Sequence, residues 1–203
     1  MLKRTTVFLL ASFLTVPAVT AQNPDVPKVG DVAPGWKQLT GTDDKPHSLD
    51  DLAYFDAVVV CFTCNSCPYS VDYEDRLIAL QKKFTDQNAK AAIVAINSNG
   101  VPADDLDRMK QRAAEKKFNF AYLKDESQDV AKAFDAIYTP EFYVLNRHRR
   151  IIYRGAMDDT TKADDVKVKY VELAVDAALR NKMPEVTAVG ARGCAIRFKR
   201  KRR

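Results

Sequence analysis

Cys64-Asn65-Ser66-Cys67 places two thiols three residues apart. Thiols at that spacing suit disulfide exchange: one attacks as the thiolate, and the other displaces the bound partner. The pair stands between an apolar run, residues 57–62, and a segment where Val71, Leu77, Ile78, Leu80 and Phe84 recur at helical spacing. It therefore opens a helix, where the first amides lack intrahelical partners and the dipole favours negative charge. A free thiol of pKa about 8.5 is only a few per cent ionised at neutral pH. The dipole contributes roughly 0.3–1 kcal/mol, less than one pKa unit, so hydrogen bonding to sulfur must supply any larger shift. On this reasoning Cys64 is the attacking thiol and Cys67 the sheltered resolving thiol, with the Cys67 amide or thiol as the donor.

Other chemistries fit less well. A structural zinc site wants four ligands with a second close pair, and the sequence has no second pair. An inert disulfide closing so small a loop would stabilise little. Cys61 alternates with Val60 and Phe62 inside the apolar run and reads as a buried thiol. Phe62 and Tyr69 flank the thiols, as packing or as the lining of a substrate groove. His47 and His148 sit in polar turns and read as solvated.

The elements around the pair set the fold class. The β-branched run 58–62 suits a strand buried on both faces. Residues 91–96 read as a second such strand with an exit loop over 97–102, and Met109, Ala113 and Phe118 mark a helix within 103–117. Residues 120–123 are a short strand, and 127–136 return to helix with Val130 and Phe134 inward. Alternating strand and helix implies parallel pairing. The pattern then changes: strands 141–145 and 150–154 flank the turn 146–149, and Val166, Tyr170, Leu173 and Ala177 stripe a last helix that stops near Asn181. Upstream, the polar turn 41–47 joins two extended segments, a hairpin before the core.

The whole chain adds bounds. Met1-Leu2-Lys3-Arg4, an apolar stretch over 7–16 and Val19-Thr20-Ala21 have the three parts of a secretory signal, with cleavage expected after Ala21. Residues 22–184 make one domain, and 185–203 a basic tail containing Cys194. The formal charge of +5 misleads: without two cations in the signal and seven in the last twelve residues, 23 basic face 27 acidic residues. A tail of that kind suits solvent or weak contact with an anionic surface. Nucleic acid would call for basic and aromatic side chains interleaved on a structured face, and is not expected.

Three motifs together, Gly30-Asp31-Val32-Ala33-Pro34, Cys64-Asn65-Ser66-Cys67-Pro68-Tyr69 after a buried strand, and Thr139-Pro140 before the hairpin, resemble the redoxin group of thioredoxin-like proteins. That group includes TlpA-like exported thiol-disulfide oxidoreductases and the AhpC/TSA antioxidant proteins. The resemblance spans about residues 30–180. It implies an α/β thioredoxin-like fold: a central mixed sheet flanked by helices, with the amino-terminal β-hairpin as an extension and residues 118–136 as an inserted strand-helix unit. It implies Cys64 as nucleophile, Cys67 as its disulfide partner, Pro140 as a cis-proline facing them, and Thr139 as a backbone edge that pairs with an extended thiol substrate. Such proteins carry no organic cofactor or metal. Their partners are protein thiols and disulfides plus a redox partner that restores the starting state, here in the periplasm or outside the cell.

The sequence departs from the thioredoxin pattern at Thr63, where Trp is usual, and at Val58, where a buried Asp is usual, so water or another carboxylate must take the Cys67 proton. Asn65-Ser66 matches neither strong reductants nor strong oxidants and leaves the redox direction open. Gly193-Cys194-Ala195-Ile196 resembles the endings of exported redoxins, which makes Cys194 a candidate third redox thiol, beside its readings as a tether or a free tail thiol. Peroxidase chemistry is the alternative activity, but peroxiredoxins place Thr three residues before the reacting Cys. Here Cys61 precedes Cys64, and Cys64 precedes Cys67, at that spacing. A copper chaperone of thioredoxin fold is the third reading. It would use His148 as a distal ligand, against the repulsion of Arg147, Arg149 and Arg150.

Overall fold

The computed structural model describes residues 26–199; the expected signal segment and the last four residues of the basic tail lie outside them. In chain order the elements are β1 (Leu39–Gly41), β2 (Pro46–His47), β3 (Ala57–Phe62), α1 (Pro68–Asp86), β4 (Ala91–Asn97), α2 (Leu106–Lys116) and β5 (Ala121–Lys124). There follow α3 (Asp129–Phe134), β6 (Tyr138–Thr139), β7 (Glu141–Asn146), β8 (Ile151–Gly155), α4 (Tyr170–Leu179) and β9 (Cys194–Ala195). Seven strands form one sheet in the order β2-β1-β5-β4-β3-β7-β8, and β6 pairs with β9 apart from it. The pairs β3–β4 and β4–β5 are parallel, while β7 runs antiparallel to β3. This is the mixed sheet expected from the alternating elements and the closing hairpin.

β3 and β4 are buried at every position, as unbroken Val, Ala and Ile runs require in strands covered on both faces. Their alternation divides the core. Val59, Cys61 and Ile93 face Leu77, Leu80 and Phe84 of α1 and Val171 and Ala174 of α4. Val58, Val60, Phe62 and Ile96 face Trp36, Val130 and Phe134. Val58 therefore sits among apolar side chains, where an unpaired carboxylate would carry a large desolvation cost. The motif at 30–33 runs along the edge of β8, with Gly30 N–H donating to Ile151 O at 2.8 Å and Ala33 N–H to Arg149 O at 2.7 Å.

Two sequence expectations change here. The buried stripe of α4 is Val171, Ala174, Val175, Ala177 and Ala178, so Ala177 faces inward as expected, whereas Leu173 is 54% exposed. The small alanines bring the helix close to β3 and β7, and that approach, rather than the largest side chain, fixes its register. The segment read as a solvated tail from residue 185 is, as far as Lys199, part of the domain. Ala188 bridges Arg154, β9 pairs with β6, and Ile196 is 6% exposed within the second core layer.

Candidate active site

β3 ends at Phe62, and Thr63 carries the chain to Cys64 at the carboxyl end of the sheet. A turn at Asn65 and Ser66 follows, and Cys67 is the N-cap of the 19-residue helix α1, with Pro68 at its first position. Proline suits that position because its missing N–H would have no partner there. Only Cys67 therefore opens the helix; Cys64 lies one turn earlier. Opposite them, the Thr139–Pro140 peptide bond is cis. Cys64 Sγ lies 3.4 Å from Thr139 Oγ1, and the Cys67 thiol donates to Thr139 O at 2.9 Å.

The turn between the thiols is held by Asp104, a carboxylate buried in the short 3₁₀ turn Pro102–Asp104. Its Oδ1 accepts from the amides of Asn65 at 2.6 Å and Ser66 at 3.2 Å and from Asn97 Nδ2 at 3.3 Å. Its Oδ2 accepts from the Ser66 hydroxyl at 2.6 Å and from Asn99 Nδ2 at 3.1 Å. Five donors satisfy the charge that burial would otherwise penalise. The Tyr122 hydroxyl donates to Asn65 Oδ1, and Lys124 Nζ donates to the carbonyls of Asn99 and Asp104. Asp104 is the other carboxylate that the apolar Val58 made necessary, but it faces Cys64, with the Ser66 hydroxyl between them, 3.8 Å from Cys64 Sγ.

Cys194 is the third sulfur of the site. It lies opposite Thr139 in the β6–β9 pair, near enough to Cys67 for the two thiols to shift each other's ionisation. Cys67 is thus the middle of three thiols, and the trio ionises as a unit. Its pKa is driven down by the Cys64 thiol and, against the effect of burial, by the Cys194 thiol and the amides of Ser70 and Cys194. Cys64 is driven up by its hydrogen bond to Cys67, by burial and by the charge of Asp104, with the Thr139 and Ser66 hydroxyls opposing. Those hydroxyls give Cys64 little: Ser66 spends its proton on Asp104, and Thr139 Oγ1 also donates to Cys194 O at 3.3 Å. Cys194 is driven up chiefly by Cys67.

The geometry does not overturn the order of attack read from the sequence: Cys67 is the N-cap, but its S–H is the group that donates to Thr139 O, while Cys64 has the Ser66 hydroxyl and Asp104 beside it to take its proton. Cys64, expected to be the reachable thiol, is 2% exposed, and Cys67 is 1%. Cys61 is fully buried on the far side of β3 from Phe62, and burial raises its pKa, as expected of an inert thiol. Phe62 packs edge-on against Phe134 and Tyr143, which gives it a core role, while Tyr69 is exposed. His148 does not join the site. It lies in the β7–β8 turn, at the opposite end of β7 from Pro140, a strand length of about 20 Å away at 3.3 Å per residue. Among the described residues no group of three or more His, Cys, Asp or Glu side chains is arranged to hold a metal ion.

Sequence reasoning missed Asp104, Ser66 and Asn99. The signal lay in Asn97-Ser98-Asn99-Gly100, a polar cluster straight after a fully apolar strand, at the carboxyl end of a parallel sheet where sites in such folds collect.

The AhpC/TSA family model matches residues 29–154. A hypothetical protein from Sinorhizobium meliloti 1021 is 32% identical, covering 85% of this chain and 95% of its own, with a TM-score of 0.77. Peroxidoxin BcpB from Mycobacterium tuberculosis is 20% identical over 76% of this chain and 97% of its own, with a TM-score of 0.59. A putative thioredoxin from Neisseria meningitidis is 20% identical over 73% and 90%, with a TM-score of 0.57. The last two show a shared thioredoxin-like fold. No curated protein matches the chain.

Proposed function

This chain belongs to the AhpC/TSA family, whose chemistry is thiol-based redox, and on that premise we propose that it is an exported thiol-disulfide oxidoreductase acting on protein thiols and disulfides. The observation that carries this reading is that Cys64 and Cys67, at the start of α1, both lie within hydrogen-bond reach of Thr139, beside the cis Thr139–Pro140 bond. In the reducing direction, Cys64 gives up its proton and its thiolate attacks one sulfur of a substrate disulfide, and the other leaves as a thiolate. Cys67 then loses its proton and attacks Cys64 in the mixed disulfide. The second substrate thiolate departs, and the Cys64–Cys67 disulfide holds the oxidation. A separate dithiol partner returns the pair to its starting state. Ser66, between Cys64 and Asp104, provides the path for the Cys64 proton.

Residues 1–21 read as a secretory signal and support a periplasmic or secreted location, where the redox domain runs from residue 22 through the paired segment at 194–195. Peroxide reduction is the competing activity. It would need a hydroxyl three residues before the reacting sulfur, and the residues at that spacing are cysteines. Insulin disulfide reduction and peroxide consumption with dithiothreitol, each run on the mature protein, decide between them. Insulin turnover abolished in Cys64→Ser, with peroxide consumed no faster than by free thiol, is the expected result. Peroxide turnover far above free thiol, without insulin turnover, would replace it with the peroxidase.

A further inference from the structure

The edge beside the cis-proline is occupied. Residues 193–196 lie along β6, with Cys194 paired to Thr139 and Ala195 to Tyr138, and the Ile196 N–H donates to Ile137 O at 2.8 Å. The approach is so close that a Cβ on Gly193 would stand 2.1 Å from Thr139 O and 3.0 Å from Pro140 N. Backbone atoms cannot give way cheaply, so only glycine fits there. Past the pair, Ile196 is anchored in the core layer that holds Trp36 and Phe134. The chain beyond it is caught by side chains: Asn99 Oδ1 accepts from Arg197 N–H at 2.8 Å, Gln128 Oε1 accepts from Lys199 N–H at 2.7 Å, and Lys199 pairs with Glu126.

We propose that residues 193–196 are a tethered substrate: they fill the strand edge that an extended polypeptide thiol would take, and Cys194 stands in for that substrate's cysteine. This rests on the reading of Cys64 and Cys67 as an exchanging pair, and it deepens that reading in two ways.

First, the docked segment closes the site. Cys64 and Cys67 are buried, and the segment gives the Thr139 hydroxyl an acceptor in Cys194 O at 3.3 Å, in competition with Cys64 Sγ at 3.4 Å. An external substrate must displace it, and competes best with the same pattern: glycine before the cysteine and an aliphatic residue two places after. Second, the segment takes part in exchange. When Cys64 and Cys67 are joined, the Cys194 thiolate attacks Cys67 Sγ, the Cys64–Cys67 bond breaks, and the Cys67–Cys194 bond forms. Cys64 leaves as a thiolate and takes up the proton that Cys194 gave. No electrons enter or leave, so no further oxidant is required.

The test is alkylation of the reduced full-length chain by iodoacetamide, with modified cysteines located by peptide mass spectrometry, for the wild type, Gly193→Ala and Ile196→Ala. Both variants are checked for native circular dichroism. Gly193→Ala should raise the rate at Cys67 about tenfold or more, the factor equivalent to 1.4 kcal/mol of docking free energy. Ile196→Ala should act in the same direction. Unchanged rates in both folded variants overturn the tethered-substrate proposal. Disulfide mapping after one equivalent of oxidised dithiothreitol should find a Cys67–Cys194 bond in the wild type; Cys64–Cys67 alone overturns the exchange. Neither readout needs turnover, so failure here is distinct from failure of insulin reduction.

Discussion

Ser66 and Asp104 are joined by a 2.6 Å hydrogen bond from hydroxyl to carboxylate, and through it the loop after β4 fixes the turn between the two redox thiols. The same carboxylate holds the Asn65 and Ser66 amides, so the spacing of Cys64 from Cys67 is set from outside the motif.

Asp104→Asn should therefore destabilise the protein by about 1–3 kcal/mol, the cost of leaving buried donors without an acceptor. It should also lower the pKa of Cys64, since the carboxylate charge is one of the causes that raise it. Urea unfolding and the pH dependence of Cys64 alkylation check the two effects. A Cys64 profile that does not move would mean that Asp104 acts on the fold alone.

Cys67→Ser should accumulate a mixed disulfide between Cys64 and substrate, because the attacking sulfur stays and the resolving one is lost. Cys64→Ser should trap none and lose insulin reduction by a factor of roughly 10³ or more, as expected when an enzyme nucleophile is removed. Non-reducing gels with a labelled disulfide peptide read this out. Trapping by Cys64→Ser instead would make Cys67 the attacker.

The thiols of Cys64 and Cys67 ionise as a coupled pair, with Cys67 driven down, so the reduced protein's stability depends on pH. Below the unfolded value of about 8.5 the unfolded chain keeps both protons, while the native pair has lost one. Stability from this pair is therefore full above pH 8.5 and falls as pH drops toward the native pKa, with a slope approaching about 1.4 kcal/mol per pH unit. Subtracting the unfolding free energy of Cys67→Ser from that of the reduced wild type, between pH 5 and pH 8.5, should give a difference that grows with pH. A flat difference would place the anion elsewhere.

The register of α4 gives a test of the fold. Leu173→Lys, on the exposed side, should change stability by no more than about 0.5 kcal/mol, whereas Ala174→Leu should cost about 1–3 kcal/mol by overfilling the contact with the sheet. Thermal unfolding of both variants checks the assignment.

His148→Ala should leave insulin reduction and thiol reactivity unchanged and stability within about 0.5 kcal/mol, since the side chain is exposed at the far end of β7. Loss of Cu(I) binding in this variant, measured by competition with a chromogenic chelator, would instead argue for a metal site shared between distant residues.

The fold class and the thiol pair were legible because both rest on local patterns. Two-sided apolar strands announce a covered sheet, as in β3 and β4, and Cys64-Asn65-Ser66-Cys67 after such a strand with Thr139-Pro140 downstream is a short-range signature. Their surroundings were not legible, since the ionisation of two nearby thiols depends on which one caps the helix and on what reaches them from elsewhere. Asp104 lies 38 residues beyond Ser66 and approaches Cys64, while Cys194 approaches Cys67 through a strand pair with Thr139, 55 residues away along the chain. Nor could composition show that a segment ending in basic residues is held by backbone pairing and one buried isoleucine. By itself the sequence determined which sulfurs can react and the sheet that carries them. Only the tertiary structure decided which groups surround them and what covers them, because those depend on contacts between residues far apart in the chain.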